Sequence, residues 1–194
     1  MDYSEAKKLV KARLSEKRWT HTKNVKKMAI IAISIALFVV LDRYCSFTLD
    51  NLKITFNILP VLILAFIYGP IEALIAGLLG SFVGQMLSYG FSVTTVLWII
   101  PAGFRGLIVG LFFKKGDLID NKIKLFLVLI LSGLAVTIIN TLVMYIDSKI
   151  FHYFSYAYLF GSMLYRIIAS IVTSIIYFLI LPIIIKPLKM IAKK

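Results

Sequence analysis

Cysteine, histidine and acidic residues are scarce in this chain, and each shortage closes off a class of chemistry. The single cysteine, Cys45, excludes an internal disulfide, and His21 and His152 are too far apart to suggest metal-ligand spacing. Neither a metal nor a cofactor is expected. Nine Asp and Glu stand against 22 Lys and Arg, and Glu72 is the only charge between Lys53 and Arg105. The lack of deeply placed carboxylates argues against proton coupling by the chain itself. No G-x-x-x-x-G-K-[ST] phosphate loop occurs, so the chain is not expected to hydrolyse ATP. No cluster of His, Asp, Glu or Ser makes an active site at depth, and an enzyme is not expected.

What fills the chain instead is apolar. Charged residues are 16% of it, against roughly 25% in ordinary soluble domains, hydrophobic residues are 60%, and mean hydropathy is +0.93. These values describe an integral membrane protein. The net charge of +13 could suggest nucleic acid, but the Lys and Arg residues fall in blocks beside apolar runs, a topological pattern. The first apolar run follows a long basic stretch and has no small-residue cleavage site behind it, so an uncleaved first helix is expected.

The pattern predicts an all-α membrane protein with six transmembrane helices: a basic N-terminal segment (1–24), a six-helix domain (25–186) and a basic tail (187–194). In 3–19, Leu9, Val10, Leu14 and Trp19 lie near one helical face opposite lysines, as in a helix lying on a bilayer surface. Apolar spans follow at 25–44, 54–68, 70–90, 92–113, 123–146 and 158–185. Gly69-Pro70 separates the second from the third, because proline disfavours helix before it and starts one well. Glu72 then complements the dipole of the third helix. With both termini cytoplasmic, seventeen Lys and Arg lie inside against three outside, Arg43, Lys53 and Lys149, a strong positive-inside bias. The outer loop 42–56 (DRYCSFTLDNLKITF) alternates in a way that could form short strands or a plug. Aromatics near 86–92 and 147–157 suit either a binding surface or an interfacial belt.

Small residues recur at helix-packing spacing: Ala29, Ala32 and Ala36; Ala73, Gly77, Gly80 and Gly84; Gly103, Gly106 and Gly110. Such stripes let backbones approach closely, by default within the chain and alternatively against a partner. Arg105 interrupts the apolar run 98–115 (WIIPAGFRGLIVGLFFKK). A charge there costs at least about 2.5 kcal/mol, so it is expected to face a cavity, a partner or a ligand. Trp98 lies seven residues earlier, nearly on the same helical face. Tyr165 and Arg166 near the start of the sixth span, and Thr137, Asn140 and Thr141 in the fifth, stand at comparable depth. Two cations, an indole and hydrogen-bonding groups suit an anionic ligand with a flat ring. The bland alternatives are that Arg166 snorkels outward and that Arg105 bonds carbonyls freed near Pro101.

Residues 52–87 (LKITFNILPVLILAFIYGPIEALIAGLLGSFVGQML) resemble the substrate-binding S component of an energy-coupling-factor (ECF) vitamin transporter. The likeness lies in a loop entering a short second helix, a Gly-Pro turn and a Gly/Ala-rich third helix. It is most similar to the folate-specific branch, although Gly80-Ser81 and Gln85 stand where an acidic residue is often seen. The AxxxA of Ala32 and Ala36 resembles the family's docking motif for the transmembrane coupling subunit. The resemblance implies high-affinity vitamin binding in the cell membrane, association with that subunit and two ATPases, and toppling in the bilayer to release cargo inside. For folate, it suggests Arg105 and Arg166 on carboxylates or the pterin carbonyl, Trp98 and Tyr165 on rings, and Asn140 on polar ring edges. Arg43, Tyr44, Lys53 and Phe56 would gate the site. Pantothenate or another anionic vitamin, and a non-transporting scaffold of cell-wall assembly, remain the alternatives.

Overall fold

The basic N-terminal stretch and the first apolar run form one helix, α1 (Tyr3–Tyr44). The computed structural model describes residues 3–49, 52–114, 119, 121–161 and 163–192, with side chains described over 24–46, 54–113, 119, 121–161 and 163–187. The proposed surface face of Leu9, Leu14 and Trp19 therefore lies outside the described side chains. The chain divides into Met1–Ile33 and Ser34–Lys194. In the first unit, the described side chains Val25, Met28 and Ile33 are exposed.

The second unit begins in the last turns of α1, followed by a hairpin. Strands β1 (Ser46–Leu49) and β2 (Leu52–Thr55) are antiparallel, with Ser46 opposite Thr55 and Leu49 opposite Leu52. The alternation in the first outer loop is therefore expressed as strands, and the expectation of an all-α chain gives way to a helical one carrying this two-stranded hairpin. Helices α2 (Leu59–Ile67), α3 (Pro70–Tyr89), α4 (Thr95–Lys114), α5 (Lys122–Ile150), α6 (Tyr156–Gly161) and α7 (Met163–Ala192) complete the order.

Local chemistry sets these boundaries. Pro60 occupies the first turn of α2, where its missing N–H costs nothing. Gly69, at φ +106°, takes a conformation that side chains resist, and Pro70 then opens α3. The N-terminus of α4 is closed by Ser92 N–H donating to Thr95 Oγ1 at 2.9 Å. At the start of α5, Asn121 Oδ1 accepts from Lys124 N–H at 3.2 Å.

Among the described residues, five helices are long and apolar enough to cross a membrane: Asn24–Tyr44, Pro70–Tyr89, Thr95–Phe113, Lys122–Ile150 and Tyr156–Pro187. The segment expected as the second span, 54–68, divides differently. Its first residues belong to β2, and α2 has nine residues, rising only about 14 Å against a hydrocarbon core of about 30 Å. Pro60 and Gly69 confine the helix at both ends, so α2 alone reaches part of the way across.

The packing follows membrane logic, with small residues inside and large ones outside. On α3, Ala73, Ala76, Gly77, Gly80 and Gly84 are buried while Ile71, Ile75, Leu79 and Val83 are exposed at four-residue intervals. A Cβ added at Gly77 would lie 2.7 Å from Ala102 O, one at Gly106 2.8 Å from Ala73 O, and one at Gly110 2.5 Å from Pro70 Cα. The glycine stripes of α3 and α4 are thus used against each other. An apolar core of Val61, Leu62, Ala65, Val109, Leu125, Leu129, Leu181 and Ile185 joins α2, α4, α5 and α7. Polar side chains gather toward the hairpin end of the bundle.

Candidate functional site

Three neighbouring compartments with shared walls make up the cavity region on the hairpin side of the core. The first, about 290 Å³, is lined by Gln85, Tyr89, Ser92, Thr94, Trp98, Asp147 and Phe151. A central one of about 340 Å³ shares Gln85 and Trp98 with it and adds, among others, Asp42, Asn57, Ser81, Arg105 and Asn140. The third, about 170 Å³, shares Arg105 and Asn140 with the central one and adds Arg166, Thr137, Ser170 and Thr173. The three run from an aromatic end to a cationic end.

Arg105 stands where the central and cationic compartments meet. It is only 8% exposed. One guanidinium nitrogen, Nη2, donates to Ser174 Oγ at 3.3 Å, and the group lies 5.1 Å from the centroid of the Tyr177 ring. Its Nε is buried without a hydrogen-bond partner, as is Ser170 Oγ nearby in the lining. Among the described residues no carboxylate pairs with Arg105, and no backbone carbonyl near Pro101 receives it. Tyr177, itself buried, donates its hydroxyl to Thr55 O at 2.8 Å, tying α7 to the end of β2 beside the arginine. Arg166 donates to Thr141 Oγ1 at 3.3 Å from the opposite wall. An unpaired N–H in a buried cation is costly, and a ligand oxygen would satisfy it.

Trp98 forms a wall shared by the aromatic and central compartments. Its Nε1 donates to Asp147 Oδ1 at 3.3 Å, and the Tyr153 hydroxyl donates to Asp147 Oδ2. Residues 147 and 148 were expected in an outer loop. Instead α5 continues through Ile150, so both are buried on its last turns. Partial burial, then the Asp147 carboxylate beside it, pushes the Tyr153 hydroxyl well above the ordinary tyrosine range, so it remains a donor at neutral pH. Asp42, near the end of α1, lines the central compartment and accepts from Asn57 Nδ2 at 2.9 Å.

Of the residues singled out from the sequence, the cavity brings together Trp98, Arg105, Asn140 and Arg166. Tyr165 is not among its lining residues. Adjacent helical residues diverge by about 100°, so with Arg166 turned inward, Tyr165 is turned out and exposed. Tyr44 is 84% exposed, and Arg43 donates to Leu87 O on the rim. Phe56 packs against the apolar core, and the Lys53 side chain lies outside the described residues. Ala32 and Ala36 are both exposed. Sequence reasoning passed over Asp42, Asn57, Thr94 and Asp147. They sit at the ends of apolar runs, where polar residues read as loop, and only the four-residue step from Thr94 to Trp98 could have tied part of this set to the α4 face.

Comparison with known proteins places this geometry in context. Residues 22–190 match the family described as "ECF-type riboflavin transporter, S component". A UPF0397 protein of Lactobacillus gasseri is 34% identical over 104 residues, 52% of this chain and 54% of that protein. One from Streptococcus pneumoniae is 34% identical over 99 residues, 50% of this chain and 53% of its own length. The chain thus spans about half the length of the curated relatives it matches. Among solved structures, "Crystal structure of FolT bound with folic acid" is 24% identical with a TM-score of 0.56, covering 81% of this chain and 89% of that one. "Structure and mechanism of the S component of a bacterial ECF transporter" is 20% identical with a TM-score of 0.59, covering 86% and 99%. At these identities the two structures share the fold.

Proposed function

This chain belongs to the family of ECF-type riboflavin transporter S components, and on that premise we propose that it is the high-affinity substrate-binding subunit of an ECF-type ABC importer for folate. Energy would come from ATP hydrolysis in two partner ATPases, coupled through a transmembrane subunit that docks on α1 at the exposed Ala32 and Ala36. The chain would sit in the cell membrane with both termini cytoplasmic and the hairpin end outward. In that arrangement β2 and the short α2 together make the second of six passes.

The observation that carries this reading is Arg105, a buried cation on the cavity wall with no carboxylate partner among the described residues and an unsatisfied Nε. Folate offers a carboxylate to the unsatisfied Arg105, a second one within the same compartment as Arg166, and a flat ring for the Trp98 side. Asn140, between them, suits a polar ring edge or linker. Tyr165 and the core-packed Phe56 have no part in this pose, and Arg43, Tyr44 and Lys53 are assigned to entry at the rim.

Riboflavin is the second reading, favoured by the description of the matching family. Its ring suits the aromatic compartment equally, but it is uncharged and would leave the two arginines with hydroxyls and ring carbonyls only. Equilibrium dialysis of the purified protein with radiolabelled folate, competed by riboflavin and pantothenate, separates these readings. Saturable folate binding resisted by the other two is expected. Displacement by riboflavin alone would shift the assignment to a flavin, and silence with all three would end the vitamin-binding reading.

A further inference from the structure

Two groups of opposite charge, Asp147 and Arg105, border the cavity with no charged partner among the described residues. Asp147 is only 8% exposed and faces the aromatic compartment. Its hydrogen-bond partners are neutral donors: the Trp98 indole at Oδ1 and the Tyr153 hydroxyl at Oδ2. Among the described residues no Lys or Arg pairs with it. A carboxylate has about four acceptor sites, and the indole contact, at 3.3 Å, is long enough to yield one more to a better donor. Arg105, whose Nε has no partner, meanwhile stands in the other two compartments. Pairing the opposite charges internally would have been the inexpensive solution. Held apart across a cavity, they suit a ligand that carries N–H donors at one end and an anion at the other.

We infer that Asp147 is the specificity-determining residue of the aromatic compartment: its carboxylate accepts adjacent N–H donors on the edge of a flat heterocycle, as an amino-oxopyrimidine edge presents them. This rests on the reading of the cavity as a vitamin site and fixes the ligand's direction in it. The ring lies between Trp98, Tyr89 and Phe151, and the anionic end lies on Arg105 and Arg166. A dioxopyrimidine edge, such as a flavin carries, flanks its single N–H with carbonyl oxygens. Against a carboxylate those oxygens repel and leave acceptors unsatisfied, and sites built for specific donors reject such analogues strongly.

The test uses the unaltered protein first. Pterin and lumazine differ by one exchange, the ring amino group of pterin for a carbonyl, and each can compete with radiolabelled folate. Pterin is expected to compete better by about tenfold or more. In Asp147→Asn, whose amide places a donor where an acceptor stood, that preference should shrink or reverse and folate binding should weaken. Equal competition by pterin and lumazine would overturn the inference while folate binding itself stands. An unchanged preference in a folded Asp147→Asn would do the same, and if that variant fails to fold, the two-ligand comparison on the native chain decides alone. Failure of the native chain to bind folate at all would overturn both the inference and the function it rests on.

Discussion

Arg105 carries the argument at the scale of single residues. It contributes little to stability where it stands, since a buried guanidinium with an unpaired N–H opposes folding rather than supporting it. Arg105→Ala should therefore weaken folate binding by about tenfold or more while leaving the melting temperature in detergent level or higher. Unchanged affinity would remove it from the site. A second expectation concerns pH. The Tyr153 hydroxyl is held above its ordinary range, so the folded state keeps this proton where the unfolded chain loses it. The stability it contributes is complete below the ordinary tyrosine pKa of about 10 and declines as pH rises beyond it. Tyr153→Phe should flatten that alkaline decline, and an identical profile would contradict the account. Arg105 and Trp98 were legible in the sequence because a charge in an apolar run is conspicuous and seven residues return to one face. Asp147 was not, because an acid at the end of a span looks the same whether the helix stops before it or runs past it.

At the scale of elements, the close approach of α3 and α4 holds the Trp98 and Arg105 wall in place. The methyl added by Gly106→Ala would meet Ala73 O and Val61 Cγ1, atoms with little freedom to retreat. A cost of about 1–3 kcal/mol is expected, visible as a lower thermal midpoint. Gly161→Ala, with nothing within 4 Å of its added carbon, is the matched control and should be close to neutral. If both variants melt alike, the packing of α3 on α4 is looser than described. These stripes could be read directly from spacing, as could the break at Gly69-Pro70. The division of 54–68 into the end of a strand and a short helix could not, because Ile54, Thr55 and Phe56 suit either state. What decides it is β1 alongside, a pairing that no local pattern contains. The extension of α5 through Ile150 has the same character: Asp147 is tolerated in helix there because Trp98 and Tyr153 donate to its carboxylate, and Ser148 because its hydroxyl donates to Tyr145 O.

For the whole molecule, charge distribution bears on orientation and the cavity bears on purpose. On the topology expected from the sequence, seventeen basic residues fall inside against three outside, a bias that would turn the hairpin end outward. Cys45, at the entry to β1, is the chain's one cysteine and is free. A membrane-impermeant maleimide should label it in intact cells and should fail to label Cys45→Ser; labelling only after permeabilisation would invert the topology. The general plan of a membrane bundle with packed small-residue seams was written in composition and periodicity. The chemistry of the site was half written, its cations plain and its carboxylates hidden. The most direct test of the central claim is intrinsic fluorescence of the purified protein titrated with folate, alongside Trp98→Phe and Arg105→Ala. The account predicts saturable quenching that requires Trp98 and weakens in Arg105→Ala; quenching that persists without Trp98, or no saturable response, would contradict it.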